Sequence, residues 1–511
     1  MINITYKNQV EKWGVQEIVC HGKTEGNPFT DYTIQGIFRG KNETVTTDGF
    51  YDGDGVYRVR FMPSFEGDYQ FTVQGSFGET QTGNFQVTAA SEGNHGPVRV
   101  ANTYHFAYED GTPYYSVGTT CYVWNLQSDE RIRQTLCSLE NAGFNKIRFC
   151  IFPKHYDYNL GEPRSYPFEG TPMDSSVLTK ENFTEYTGKT AGNHWDFERF
   201  CPEHFRHIED CIVELQKRGI EADLIVMHPY DRWGFAQMTK EQEHRYWRYV
   251  IARFAAYRNV WWSLANEYDL LEHKTLEDWE GYAKLLCEKD PYSHLRSIHN
   301  WHAFYDYTRP WITHCSIQRQ DTYKSSECVN EWRERYRKPV VLDEIAYEGD
   351  IQWGWGNITG EEMVRRFWEG TLRGGYPGHG ETYMSDDDVL WWSHGGVLHG
   401  ESWKRVRFLH QIMCETPGTG LKPLETRWDI VGAVPEEGRE QNKKVKSYYL
   451  FYFSFMRPSF REFYFDDDTD FEVEVIDTWN MTIEKQGIHR GKFKVILPKR
   501  QYMAVRIRKV G

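Results

Sequence analysis

Between about residue 100 and residue 415, short apolar runs alternate with stretches of helical periodicity, and no other feature restricts the chain as tightly. The runs are Tyr114 to Gly118, Lys146 to Ile151, Ala222 to Met227, Val260 to Leu264, Leu295 to His299, Thr313 to Ile317, Val340 to Glu344 and a last one near Tyr376 to Thr382. Helices are expected at 129–141, 202–217 and 240–255, where apolar residues recur near every third or fourth position; the second offers Phe205, Ile208, Ile212 and Leu215. Repeated strand–helix units build a parallel sheet, and eight of them close a (β/α)8 barrel. An open doubly wound sheet would more often carry a glycine-rich phosphate loop near its start, and neither GxGxxG nor GxxxxGK[ST] follows a strand.

The flanks change period. Tyr57, Val59 and Phe61, then Tyr69, Phe71 and Val73, then Phe85 and Val87 alternate with polar neighbours between Gly-rich turns, which predicts an antiparallel β-sandwich, Ig-like, over 1–92. Asp52-Gly53-Asp54-Gly55 reads as a tight turn; it resembles part of a calcium loop but lacks the later ligands. SEGNHGPV at 91–98 has the composition of a linker. The barrel is assigned to 93–415. Alternation returns in Phe471, Val473 and Val475, in Phe493, Val495 and Leu497, and in Met503, Val505 and Ile507, so 416–511 is expected to be a second sandwich. Within it 448–455 predicts a strand buried on both faces, and the acidic run at 466–468 a solvated turn.

Charge and ring content narrow the partners. Lys and Arg number 60 against 74 Asp and Glu, a net charge of −14, the wrong sign for neutralising phosphates. Neither nucleic acid nor an anionic membrane is an expected partner. The chain carries 19 Trp, 33 Tyr and 30 Phe, yet its mean hydropathy is −0.71, so many rings must meet water, as sugar binding or a large polar interface would have it. The ten cysteines include no CxxC pair and read as reduced core residues. With no basic, apolar leader at the start and no long apolar stretch, a cytoplasmic protein is expected. Homo-oligomer formation is left open.

In a parallel barrel the strand C-termini face the active site, so a polar residue closing an apolar strand needs a reason to be there. Asn266 and Glu267 close VWWSLANE, and Glu344 closes VVLDE. Carboxylates on strands four and seven would converge across the barrel mouth. Glycosidic hydrolysis needs such a pair, one protonated to serve the leaving oxygen and one ionised to attack the anomeric carbon or hold its positive charge. Asp343 should point to the opposite face from Glu344 and be structural.

Asn-Glu after strand four and Glu after strand seven, with Arg148 ending IRF and His228 ending LIVMH, resemble the signature of the clan A retaining glycoside hydrolases. GFYDGDG at 49–55 with YRVRFMP, then HPYDRWGF, LRSIHNW, GGYPGHGETY at 374–383 and LWWSHGG at 390–396 are similar to a narrower group of apiosidase-like and cellulase-like barrel proteins. The resemblance spans essentially the whole chain. It implies Glu267 as acid/base, Glu344 as nucleophile, Asn266 on the substrate 2-hydroxyl and Arg148 beside the nucleophile, acting on an oligosaccharide or glycoside.

Further candidates surround these. His228 could donate to a sugar hydroxyl next to Asp231, or be a satisfied core group; His299 at the end of strand five is equally ambiguous. Trp233, Trp301, Trp353, Trp355, Trp391 and Trp392 all follow barrel strands, as a ring-lined pocket requires. Glu381 is a reserve carboxylate, and the aromatic stretch 153–200 is expected to wall the site. With no HxH on strand one and no HExxH, neither a catalytic metal nor a cofactor is expected. The rival to an enzyme is an inactive carbohydrate-binding barrel, which would have lost one of the two Glu.

Overall fold

The computed structural model describes residues 3–510 apart from 79, 320, 386–389, 436–445 and 466–467. The acidic run at 466–468 therefore lies mostly outside the described residues. At the centre is a parallel eight-stranded sheet made of β1 (Gly118–Thr120), β2 (Lys146–Cys150), β3 (Glu221–Met227), β4 (Val260–Ala265), β5 (Arg296–Ser297), β6 (Cys315–Gln318), β7 (Val340–Glu344) and β8 (Tyr376–His379). The bridge His299↔Ser316 joins its two ends, so the sheet closes into a (β/α)8 barrel. Helices α1 (Asp129–Ala142), α2 (Pro202–Lys217), α3 (Lys240–Phe254), α4 (Leu276–Lys289), α5 (Val329–Tyr336), α6 (Gly360–Leu372) and α7 (Ser402–Cys414) follow the strands in turn, except that β5 passes to β6 without one. Ser128, Thr239 and Thr359 cap α1, α3 and α6 through their side-chain oxygens. Gly378 lets β8 lie against β7, since a Cβ there would stand 2.8 Å from the Asp343 carbonyl oxygen.

The first strand begins where the sequence pattern would end it. Tyr114 does not pair in β1; it packs with Phe106, Trp261, Val341 and Tyr376 in an apolar plug at the bottom of the barrel. The segment expected to be a linker supplies part of that plug, because Val98–Ala101 pairs with His105–Tyr108 as an antiparallel hairpin. Phe106 from this hairpin lies 5.2 Å from the Trp261 ring and 5.0 Å from Tyr376. Above the plug the interior turns polar. Lys146 Nζ donates to Asp223 Oδ2 at 2.6 Å and Asp343 Oδ1 at 2.8 Å, all three buried. Asp343 thus faces the interior, as Val341 does. Glu344 also turns to the barrel mouth because the β6–β7 register slips between Ser316 and Gln318 and strict alternation ends there.

The N-terminal region holds a four-stranded and a five-stranded sheet around Phe38, Phe61, Phe71 and Phe85, with Phe38 stacked on Phe61 at 4.4 Å. The glycine-flanked turn at 52–55 is no calcium loop. Asp52 is buried and held by Arg58 Nε at 2.6 Å, Arg253 Nη1 at 2.8 Å and Arg206 Nη1 at 3.1 Å, the last two from α3 and α2. Glu209 of α2 completes the clamp by accepting from Arg60 at 2.6 Å and Arg253 at 2.7 Å. At the other end a six-stranded sheet contains Lys446–Tyr452, and both faces of that strand are covered. Tyr452 packs 5.3 Å from Trp368 of α6, while Tyr449 and Phe451 belong to the C-terminal core with Phe471 and Val505.

All ten cysteines are free, but Cys137, Cys287 and Cys414 lie on exposed helix faces instead of in the core. The 153–200 stretch is not all loop, since Phe168–Thr171 pairs with His194–Phe200. Among the described residues no helix is long and apolar enough to cross a membrane.

Removing one member of a buried ion network leaves its partners desolvated and unpaired, which costs roughly 3–5 kcal/mol, whereas an exposed pair is worth at most about 1 kcal/mol. Glu209→Ala, which strips an acceptor from two buried arginines, should therefore lower the urea unfolding midpoint far more than Glu214→Ala, whose partners Lys217 and Arg218 are solvent-accessible. Equal midpoints for the two variants would show that the clamp contributes no net stability.

Candidate active site

Each candidate side chain is placed by the end of a barrel strand. Arg148, two residues beyond Lys146 on β2, points the same way as Lys146 and reaches higher. Its Nη1 donates to Asn266 Oδ1 at 2.6 Å and stands 3.9 Å from Glu344 Oε1, and Nη2 lies 3.3 Å from Ser263 Oγ. Asn266 follows β4 and keeps its buried Nδ2 without a protein partner. Glu267 adopts left-handed backbone angles, φ 49° and ψ 57°, a conformation that costs a non-glycine residue about 1–3 kcal/mol. That strain turns the carboxylate inward when the chain would otherwise run out of the barrel.

The two glutamates sit in different company. Glu267 accepts from Gln318 Nε2 at 2.5 Å and from the Tyr230 phenol. Burial, reinforced by the nearby Glu344 charge, raises its carboxyl to about 7 against those two donors. Glu344 accepts from the Tyr122 phenol and faces Arg148, with His299 Nε2 at 3.6 Å. Ser316 Oγ is bonded to Asp343 Oδ2 at 2.5 Å and to His299 Nδ1 at 3.1 Å. If the single serine proton goes to the Asp343 carboxylate, His299 must donate from Nδ1 and present a bare Nε2 lone pair to the site. Burial and Arg148 together hold this imidazole neutral, well below the usual histidine range.

Lys154, two residues past the apolar run that continues β2, is the cation that sequence reasoning overlooks. Its ammonium lies 3.5 Å from the Tyr122 ring centroid, 4.2 Å from Tyr230, 4.3 Å from Trp392 and 5.4 Å from Tyr156. Burial lowers it to about 8, opposed by Cys150, Glu267 and Glu344. Gln318 is the second omission. Gln318 directly closes an apolar run, as Glu344 does, whereas Lys154 is set off from its run by Pro153.

The aromatic wall draws on distant segments. Tyr156 from the 153–200 stretch meets Trp392 at 5.7 Å, and Trp392 lies 5.0 Å from Trp355 and 5.3 Å from Tyr122. On the Gln318 side, Trp301, Phe304, Arg319 and Tyr323 line a groove of about 570 Å³. Trp301, Trp353 and Tyr323 are exposed, at 36%, 47% and 89%.

Five expected binding residues have other surroundings. Trp233 is buried with Phe235 at 6.0 Å and the Arg232 guanidinium 4.4 Å from its ring. Trp391 is buried as well, donating from Nε1 to Thr119 Oγ1 at 2.8 Å. Neither ring has an open face for a sugar. Asp231 accepts from the Trp233 and Ala236 backbone N–H groups, both at 2.8 Å, and so shapes its own loop; burial raises its carboxyl to about 6. Glu381 accepts from His399 N at 2.5 Å and Gly400 N at 2.8 Å, outside the ring-lined site. His228 is buried, 3.4 Å from the Phe152 carbonyl oxygen through Nε2, makes no bond to Asp231, and is pushed down to about 3 by burial and Lys154.

Comparison with known proteins places this geometry in a family. The model described as "Apiosidase-like, catalytic domain" matches residues 100–412, and two domains of unknown function match 9–76 (DUF5060) and 433–508 (DUF5605). A crystal structure from Bacteroides vulgatus ATCC 8482, provisionally assigned as a glycoside hydrolase, is 36% identical over 99% of this chain and 100% of that one, with a TM-score of 0.90. A glycoside hydrolase family 5 protein of the same organism, 16% identical over 81% of this chain and 93% of its own, has a TM-score of 0.59. A further glycoside hydrolase structure is 15% identical over 82% of this chain and 98% of that one, at 0.57; these last two share the fold alone. No curated protein matches the chain. With its catalytic-domain match over most of the chain and a full-length structural relative, the protein belongs to the apiosidase-like family of glycoside hydrolase-like barrels.

Proposed function

We propose that this protein is a retaining glycoside hydrolase that acts on β-linked oligosaccharides or glycosides and trims them from one end. The observation that carries the reading is the asymmetry of the two buried glutamates: Glu267 is raised to about 7 by burial, and Glu344 meets a guanidinium and a phenolic O–H. Such a division suits one acid and one nucleophile. In the first step a Glu344 oxygen attacks the anomeric carbon while Glu267 gives its proton to the departing glycosidic oxygen, leaving a covalent glycosyl ester. In the second, Glu267 takes a proton from water, the water oxygen attacks the same carbon, and the ester bond to Glu344 breaks. Asn266, with its free Nδ2, is suited to the 2-hydroxyl, and the groove beside Gln318 to the leaving sugar. The ring cluster of Tyr156, Trp355 and Trp392 would close the other side, which favours exo-action.

Glu344→Ala should abolish turnover of an aryl glycoside, and azide should restore it as a glycosyl azide of inverted anomeric configuration. Glu267→Ala should lose about 10²–10⁴-fold on substrates with poor leaving groups and far less on activated ones, and with azide give the retained product. Wild-type inactivity across an aryl-glycoside panel, with no covalent labelling by 2-fluoro glycosides, would favour the inactive-binder reading.

The pH profile supplies an independent check. A general acid raised to about 7 must be protonated to act, so kcat/KM should fall as pH rises through that value. The Tyr230 hydrogen bond favours the ionised form of Glu267, and removing it must raise the carboxyl further. Tyr230→Phe should therefore move the alkaline limb upward; a downward shift would show that Glu267 is not the titrating acid.

A further inference from the structure

Glu348 and Glu381 are register partners in a short parallel pairing, Glu348–Gly349 with Glu381–Thr382, just beyond the barrel rim. Both are 1% exposed. Their oxygens accept only neutral donors: Glu381 those of His399 and Gly400, and Glu348 the backbone N–H groups of Glu401 at 2.9 Å and Ser402 at 3.0 Å and the Tyr383 hydroxyl at 3.2 Å. Among the described residues no lysine or arginine pairs with either carboxylate. Two buried carboxylates side by side without a counter-charge are costly, and the remedies are a proton held on one of them, a pairing cation or a coordinated metal.

His379, at the end of β8, supplies the independent sign. It is fully buried, its Nε2 has no partner, and one of its ring nitrogens lies within 4.8 Å of a carboxylate oxygen from each glutamate. Its Nδ1 is 3.2 Å from Thr119 Oγ1, which also accepts from Trp391 Nε1. The threonine oxygen can accept from both, and in that arrangement Nδ1 carries the proton and Nε2 keeps a lone pair free for a ligand. A buried ring fixed through one nitrogen, with the other unpartnered and two carboxylates beside it, is the arrangement of a metal-binding histidine with its supporting hydrogen bond. The backbone donors on Glu348 and Glu381 would orient the carboxylates in the same way, leaving the second lone pair of each oxygen for a ligand.

We propose that Glu348, His379 and Glu381 bind one divalent transition-metal ion, zinc by preference, in a structural role separate from the proposed glycosidase chemistry. One imidazole and two carboxylates suit such an ion, and its two positive charges match the two carboxylates. Ligand atoms now within 4.8 Å must draw in to about 2.0–2.2 Å from the metal, a movement of side-chain ends. Three protein ligands leave a fourth position for water. The bound ion would tie β8, the 348–349 strand and the start of α7 together.

The test is metal analysis of the full-length protein, followed by thermal unfolding after EDTA treatment and addition of ZnCl₂ or MnCl₂. About one equivalent of bound metal should be found or restored, with a saturable rise in Tm, because a ligand that binds only the folded state stabilises it. His379→Ala and Glu381→Gln should lose both the metal and the rise in Tm. Stripped wild-type protein that takes up no zinc or manganese and shows no change in Tm would overturn the proposal without reference to any variant. Uptake that persists undiminished in folded His379→Ala would overturn it too, by placing the metal elsewhere.

Discussion

Everything at the barrel mouth rests on one ammonium group. Lys146 bridges Asp223 and Asp343, and so fixes β2, β3 and β7 to one another from the inside. Burial opposes the Asp343 charge, but Lys146 and Arg148 outweigh it and hold that carboxyl well below the usual range. Loss of Lys146 would strip both aspartates of their shared partner inside the barrel, so the three strands are held at one relative height. Arg148 and Glu344, one level above, inherit that height. Below the ammonium the interior is apolar and above it polar, and the transition occurs within one residue pair along β2.

The site built on this base separates two chemically identical side chains by surroundings alone. Glu267 is held by a phenol and an amide in a strained backbone conformation, and Glu344 by a phenol and a guanidinium. The two phenols belong to Tyr230 and Tyr122, whose rings also enclose the Lys154 ammonium. One aromatic cluster thus positions donors on both carboxylates and shelters a cation between them.

What the chain reveals on paper follows from how local each cause is. A polar residue closing an apolar strand has no partner in its own segment, so Arg148, Asn266, Glu267, His299 and Glu344 stand out without a structure. Gln318 obeys the same rule and Lys154 misses it by one residue, but nothing adjacent on paper distinguishes either from an ordinary loop residue. Tryptophans after strands are ambiguous for another reason. Trp392 turns to the site and its neighbour Trp391 to the core, because they sit on one short helix with Thr119 behind it. Glu381 could not be placed from its own neighbourhood, since its partners arrive eighteen residues later in the chain. The first strand starts later than its pattern predicts, because buried Tyr114 and Val117 satisfy an apolar pattern whether they pair in a sheet or fill its base.

The hairpin that closes the base of the barrel has a consequence for how the chain is made. Val98–Ala101 and His105–Tyr108 leave the ribosome before any barrel strand, yet Phe106 finds its cover on Trp261 of β4 and Tyr376 of β8. For most of translation this ring has nowhere to go. The stopper is made first and fitted last, so the nascent barrel must remain open at its foot until some 270 further residues have appeared, with the apolar hairpin uncovered during that interval.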